Sequence, residues 1–390
     1  MTARIPCLVV GDGPQEPTGL GRIARDLCRH IVASDLPLDL VQVGGPILPV
    51  WREWWHLPMD EAARASDWGA NYVEALWESL WGQAPGILWL IWDPGRVAAY
   101  QELRAPVQRW AYTAVDAPNR LGSIGGPAGE ALAHCDRVLA YGRWASRVIK
   151  TVRDAAVPYL PHGLDLAPFA QPPTDTETAW VARQLGPYAL SAQTLVIGCV
   201  ATNQLRKDLG LLFESLALLK QRGHKVYVWL HTDVMVKAWS VVQLVDDCGL
   251  AKRVSVTTGH LTDRQLALLY QRCAVTIAPG LGEGFGYPIV ESLAAGTPVV
   301  HGDFGGGREL VPKLEWRFPV RALRLEGVYA QQRPVFQAED VANAVERILQ
   351  WRETVGDTTV RAYCRGQVAY LDWPSLWPRW ASWIRQGVEG

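Results

Sequence analysis

Short apolar runs recur along the chain, separated by loops, several of them glycine-rich, and by stretches whose apolar residues fall three and four apart. Cys7–Gly11, Leu38–Val43, Ile87–Trp92, Trp110–Val115, Arg137–Ala140, Leu195–Val200, Val226–His231, Val254–Thr257, Cys273–Ala278 and Pro298–His301 are the runs. All are read as strands, and the short apolar run Cys273–Ala278 suits one buried on both faces, as in parallel sheets. Between them, Ile23, Leu27 and Ile31 share one helical face, and so do Leu209, Leu212, Phe213, Leu216 and Leu219. Thr262-Asp-Arg-Gln265 predicts a capping box that opens a helix carrying Leu266, Leu269 and Tyr270. Pro288 suits the start of a helix running to Ala295, which Gly296 and Pro298 then stop. Strand, loop and helix in alternation predict an α/β protein whose ligands bind at the carboxyl ends of strands. At 390 residues the chain exceeds a usual single core, so two domains are expected.

Two stretches break or extend this rhythm. Trp51-Arg-Glu-Trp-Trp-His-Leu-Pro58 follows no period and predicts an irregular loop, with Trp51, Trp54 and Trp55 available to border an acceptor surface. Near the end, Trp373, Trp377, Trp380 and Trp383 stand at helical spacing, which predicts a packed helix face. Pro168 to Thr178 is rich in Pro, Thr and acids and is read as the start of an interdomain connection.

Composition narrows the class. Apolar residues make up 49% and the formal net charge is −1, so no basic footprint of the kind nucleic-acid binders carry is present overall. A local basic series, Arg143, Arg147, Lys150 and Arg153, keeps nucleic acid open as a partner. No apolar run reaches the roughly 18 residues of a membrane span, and Met1-Thr-Ala-Arg-Ile-Pro lacks a signal-peptide core. Seven scattered cysteines without a CxxC pair predict a reducing, cytoplasmic setting, neither a disulfide framework nor a zinc site.

The chemistry concentrates in Pro279-Gly-Leu-Gly-Glu-Gly-Phe-Gly-Tyr-Pro-Ile-Val-Glu291. Its glycines let backbone approach a ligand closely, and the helix start beyond them suits a phosphate. Glu283 in the loop and Glu291 in the first turn of the helix are placed to border one pocket at two depths, where carboxylates accept hydrogen bonds from vicinal hydroxyls. Arg206 and Lys207 lie between the strand ending at Val200 and the next helix. Cations there oppose the helix dipole, so local stability does not explain them; a diphosphate does. Thr18-Gly-Leu-Gly-Arg22 forms a second, weaker glycine loop, in which Gly19 and Gly21 are explained equally by a structural turn, and Arg22 either faces a phosphate or is solvated.

The run Glu283-Gly-Phe-Gly-Tyr-Pro-Ile-Val-Glu291 resembles the E-x7-E signature of retaining glycosyltransferases of the GT-B fold, in particular the family 4 group. The resemblance implies two Rossmann-like domains facing a cleft: an acceptor domain over 1–165, a nucleotide-sugar donor domain over 166–365, and a C-terminal helix over 366–390 crossing back to the first. It implies that Glu283 and the backbone of Gly284, Phe285 and Gly286 face the donor sugar, that Glu291 binds the nucleotide ribose, and that Gly19 and Gly21 lie near the donor phosphates. Arg206 and Lys207 carry the match to the family's phosphate-binding cations, with Asn203 as a substitute contact where the family has an Arg. The family's catalytic His has no counterpart in Tyr112-Thr-Ala-Val-Asp-Ala-Pro-Asn119; Asp116 occupies its neighbourhood. His162, in the family-like Leu160-Pro-His-Gly-Leu-Asp165, either reaches the cleft or serves a structural hinge. Gly302-Asp-Phe-Gly-Gly-Gly-Arg-Glu309 matches a further glycine turn near the nucleotide. The implied reaction moves a sugar from a UDP- or GDP-sugar to an acceptor hydroxyl with retention, without a metal or a cofactor. The acceptor is open among glycan, lipid, small molecule, protein and a hydroxymethylated DNA base. A nucleotide-sugar epimerase or hydrolase of the same fold, and a non-catalytic binding module, are the alternatives.

Overall fold

The computed structural model describes residues 4–46, 49–233, 238–327 and 329–389. The chain divides into two compact units, the first mainly Met1–Gly163 with Trp373–Gly390, the second mainly Leu164–Gly327 with Gln331–Asp372. The division falls between Gly163 and Leu164, and the C-terminal segment joins the first unit from Trp373, seven residues later than the sequence reading placed it.

In the first unit, β1 (Ile5–Val10), β2 (Leu38–Val43), β3 (His56–Leu57), β4 (Gly86–Ile91), β5 (Val107–Thr113) and β6 (Arg137–Ala140) form one sheet. Their order is β3-β2-β1-β4-β5-β6, all parallel. This is the doubly wound order that reverses between β1 and β4. Every residue of β4 is buried, which is why its sequence is an unbroken apolar run. β4 ends one residue before the expected Trp92, and β5 begins and ends earlier than expected. The helix Gly19–Val32 is N-capped by Thr18, whose Oγ accepts from the Gly21 N–H, and buries Ile23, Leu27 and Ile31 as their spacing predicts. Trp51–Trp55 is irregular, as read, and closes into the short edge strand β3.

The helix Trp373–Glu389 packs onto this unit by its tryptophan face. Trp380 is 1% exposed and donates from Nε1 to the Pro161 carbonyl at 3.2 Å. Its ring meets Tyr112 edge-on at 4.8 Å, and Trp383 meets Trp110 at 5.2 Å. Arg137 lies over both Trp110 and Trp383, at 4.8 and 4.2 Å. Trp373 lies against Gly163, where a Cβ would stand 2.2 Å from the indole. The glycine of the Pro161–Asp165 motif is therefore required by packing.

In the second unit, β7 (Leu195–Val200), β8 (Val226–His231), β9 (Val254–Thr257), β10 (Val275–Ala278), β11 (Val299–Gly302) and β12 (Arg317–Phe318) form a parallel sheet ordered β12-β11-β10-β7-β8-β9. The order reverses between β7 and β10, so each sheet has one switch point between its first and fourth strands. β13 (Ala322–Glu326) and β14 (Gln331–Val335) pair only with each other, as an antiparallel hairpin. The Thr262–Gln265 capping box forms as expected, with both reciprocal bonds, at the start of Asp263–Arg272. Arg264 of that helix binds Glu177 and the carbonyls of Pro168, Gln171 and Pro172, which fixes the Pro- and acid-rich connection. All seven cysteines are free thiols; six are buried and Cys248 is half-buried.

Candidate active site

The second sheet's switch point brings the main candidates together. After β7 the chain forms a 3-10 turn, Leu205–Lys207, and Asp208 takes a left-handed conformation, φ 42°, that Asp tolerates better than most residues. Asp208 then caps the helix Leu209–Gln221 by accepting from the Leu211 N–H at 3.2 Å. The turn aims Lys207 across to the loop that follows β10. Its Nζ donates to Glu283 Oε1 at 2.5 Å, and both side chains are largely enclosed, 12% and 14% exposed. Arg206 Nη1 stands 3.9 Å from the other Glu283 oxygen and donates to the Gly282 carbonyl at 3.3 Å.

Backbone bonds lock three loops together here. The Leu281 N–H donates to the Arg206 carbonyl at 2.7 Å, and the Gly306 N–H donates to the Glu283 carbonyl at 2.8 Å. Close approach is what the glycines allow. A Cβ at Gly280 would lie 2.7 Å from Glu283 Oε1, and one at Gly306 would lie 2.4 Å from the Gly284 carbonyl oxygen. Gly286, φ 107°, leads into the helix Tyr287–Ala294, which has no side-chain cap at its start. A crevice of about 250 Å³, mouth included, is lined by Val200, Lys207, Pro279, Glu283, Gly286 and Ile289 among others. A wider, shallower hollow of the first unit, beside Tyr159 and Trp383, holds no comparable pairing of charges.

Burial by itself raises the Glu283 pKa, but the charges of Lys207 and Arg206 outweigh it and bring the carboxyl from an ordinary 4.5 to about 2. Glu283 is therefore an anion throughout the neutral range, able to accept hydrogen bonds and unable to give a proton. His301, at the end of β11, is fully buried beside it. Its Nδ1 meets the Ala278 carbonyl at 2.7 Å, so that nitrogen carries the proton, and a Cβ at Gly307 would stand 2.6 Å from Nε2. Burial lowers its pKa, against the opposing pull of the Ala278 carbonyl and Glu283. The sequence reading placed His301 only as a strand terminus, because nothing local distinguishes it.

The other expected residues are placed as follows, with one shift along a helix. Glu291 is in the second turn of its helix, not the first, is 4% exposed, and accepts from Tyr270 Oη at 3.1 Å. It backs the crevice rather than lining it. Asn203, 1% exposed, exchanges two bonds of 2.9 Å with the Trp239 backbone, so its amide pins a loop. Phe285 is buried against Tyr287, edge-on at 5.5 Å. Gly284 lies beneath Gly306. In the first unit, Gly19 is the exposed first residue of its helix, whereas Gly21 is buried where a Cβ would meet the Glu16 carbonyl oxygen at 2.6 Å. Asp116 is half-buried in the loop after β5. His162, 1% exposed, bonds Tyr112 Oη through Nδ1 at 2.6 Å and abuts the Tyr141 ring at 4.2 Å. His162 is thus packed among aromatic residues of the first unit. Trp54 is buried, its Nε1 donating to Gln42 at 2.8 Å, which leaves Trp55, 53% exposed, as the outward ring of that loop.

Comparison with known proteins agrees with this geometry. Residues 194–350 match the family model described as Glycosyl transferases group 1. A D-inositol 3-phosphate glycosyltransferase of Xylanimonas cellulosilytica is 28% identical over 256 residues, 64% of this chain and 60% of that protein. An MMP alpha-(1->4)-mannosyltransferase of Mycolicibacterium hassiacum is 38% identical over 69 residues, 18% of this chain and 16% of the relative. The matched stretches thus span 60% and 16% of these relatives' lengths. Among solved structures, sucrose-phosphate synthase from Thermosynechococcus elongatus superposes with a TM-score of 0.76 at 17% identity, covering 99% of this chain and all of that one. Anabaena HepE, in complex with UDP and glucose, gives 0.73 at 14% identity, covering 98% and 100%. Residues 194–350, which carry Lys207, Glu283 and the helix behind them, are accordingly similar to glycosyl transferases group 1, in a chain with the fold of GT-B glycosyltransferases.

Proposed function

We propose that the protein is a glycosyltransferase that moves a sugar from a nucleoside diphosphate sugar, a UDP-sugar first among them, to an acceptor hydroxyl with retention at the anomeric carbon. The observation that carries the reading is the Lys207–Glu283–Arg206 cluster at the second sheet's switch point, inside the family-matched segment. Lys207 and Arg206 neutralise charge building on the departing diphosphate, a task that preorganised cations perform without reorganisation. The uncapped start of Tyr287–Ala294 adds its partial positive charge. These groups supply the charge that a bound metal would otherwise supply. Glu283, held as an anion, accepts hydroxyls of the transferred sugar and orients it. Glu291 contributes to the nucleotide side through the same helix. Glu283 is the one carboxylate lining the crevice among the described residues, and it is engaged by Lys207. That favours attack from the face the diphosphate leaves over a covalent glycosyl-enzyme. UDP as the nucleotide is supported by the ligand of the HepE structure.

The test is direct. The purified chain is incubated with UDP-glucose, other UDP-hexoses and GDP-mannose, and nucleoside diphosphate release is followed with and without candidate acceptors. Release from one donor, accelerated by an acceptor and yielding an α-linked product from an α-linked donor, supports the reading. Acceptor-independent release alone indicates a hydrolase. Binding without release indicates a non-catalytic module.

A further inference from the structure

The first sheet has its own switch point, and the groups gathered there are of a different kind. Asp12 follows β1 and Trp92 follows β4. Asp12, 8% exposed, accepts from Thr18 Oγ at 2.7 Å, from Trp92 Nε1 at 3.4 Å and from Arg96 at 3.5 Å. Arg96 also pairs with Asp93 at 3.2 Å, and its guanidinium lies 4.5 Å from the centre of the Trp68 ring. Trp68 joins the helices Glu61–Asp67 and Ala70–Trp81. It is 42% exposed, yet it is among the most constrained residues of the unit. Its backbone is left-handed, φ 56°, a conformation that costs a bulky residue about 1–2 kcal/mol. Tyr100, wholly buried, donates to its carbonyl at 2.6 Å, and Trp92 meets its ring edge-on at 6.4 Å. Strain of this sort persists only where the surroundings enforce it, and it clusters at ligand sites.

We infer that Trp68, buttressed by Arg96, is the platform on which this protein stacks the neutral sugar ring of its acceptor, with Asp93 accepting that ring's hydroxyls. The inference rests on the glycosyltransferase reading and narrows its acceptor. Three features select the class. A fixed, outward indole offers a flat apolar face at low entropic cost. Asp93, half-exposed and held against the same guanidinium, presents carboxylate oxygens, the groups that pair with sugar hydroxyls. The charges around the ring also run against an anionic acceptor. Asp12 and Asp93 both pair with the single guanidinium of Arg96, and Glu16 and Arg64 pair with each other at 3.3 Å. A phosphorylated sugar or a DNA strand meets repulsion there. The Trp51–Trp55 loop, with Trp54 buried, has no comparable built surface.

The test uses the full chain and ligand-observed saturation-transfer NMR. The probes are methyl α-D-glucopyranoside, methyl α-D-mannopyranoside and methyl α-D-galactopyranoside, set beside glucose 6-phosphate, D-inositol 3-phosphate and an oligonucleotide containing 5-hydroxymethylcytosine. Wild type should saturate ring C–H protons of at least one neutral glycoside and none of the anionic probes. Trp68→Asn keeps a residue that accepts the left-handed backbone, so it should fold and bind UDP as wild type does while the glycoside signal falls at least fivefold. Trp68→Phe should retain part of it. An unchanged signal in Trp68→Asn, no neutral glycoside bound by wild type, or preference for a phosphorylated probe would overturn the inference. UDP calorimetry on wild type is a separate arm: its failure counts against the donor reading and leaves the glycoside result standing by itself.

Discussion

At the residue scale, the contact that matters most is the 2.5 Å bond between Lys207 and Glu283. Lys207→Ala should cut turnover about 100-fold or more, the range seen when one donor is removed from a preorganised anion site. Circular dichroism identifies a variant that has merely unfolded; a folded variant at full activity would sink the diphosphate role. The same bond makes a pH prediction. Glu283 titrates at about 2 in the folded chain against an ordinary 4.5, so its stabilisation is complete above 4.5 and is lost as pH falls toward 2. The shift corresponds to roughly 3 kcal/mol. Urea titrations of wild type and Glu283→Gln should differ most at pH 7 and converge near pH 2. A gap that stays constant across that range would mean the carboxylate's charge is not what stabilises the loop. Glu291 shows where residue-level reading stopped. Its type and spacing were visible, but its burial depends on Tyr270, twenty-one positions away, and no local pattern encodes that.

At the scale of elements, legibility followed burial. β7 and β8 lie where their apolar runs lie, because inner parallel strands must be apolar on both faces. The capping box at Thr262 was legible because both partners are local. The β13–β14 hairpin was not, since β13 is exposed along most of its length and its alternation covers only Leu323 to Glu326. The terminal helix declared itself by its tryptophans, and their contributions should be unequal. Trp380→Ala removes a ring packed on Tyr112 and should cost about 3–5 kcal/mol. Trp377 is half-buried and stacks on His30 at 5.2 Å, so Trp377→Ala should cost distinctly less. Chemical denaturation of the two variants checks the ranking, and equal losses would contradict the packing described.

At the scale of the whole molecule, two sheets of one topology carry two chemistries. The second gathers cations and an enclosed carboxylate around glycine loops, and the first gathers indoles and carboxylates. Alternation made the α/β class legible and the family resemblance implied two Rossmann-like domains, but the strand orders were not read from sequence. The content of the first switch point was not legible either, because Trp68, Trp92 and Arg96 come from separate connections and meet only on folding.

The cysteines lead in a practical direction. Burial pushes Cys7, Cys199, Cys273 and Cys364 up to about 12 and Cys135 to about 11, and raises Cys28 well above its ordinary value. Thiolate, not thiol, reacts with electrophiles. Only Cys248, at the end of the helix Val241–Asp247, is within a reagent's reach. Brief maleimide treatment of the native protein should therefore attach close to one dye per chain, against seven after denaturation, as intact mass spectrometry would count. The natural sequence then accepts a single fluorophore on its second unit with no cysteine removed, and candidate nucleotides can be screened by that dye's emission.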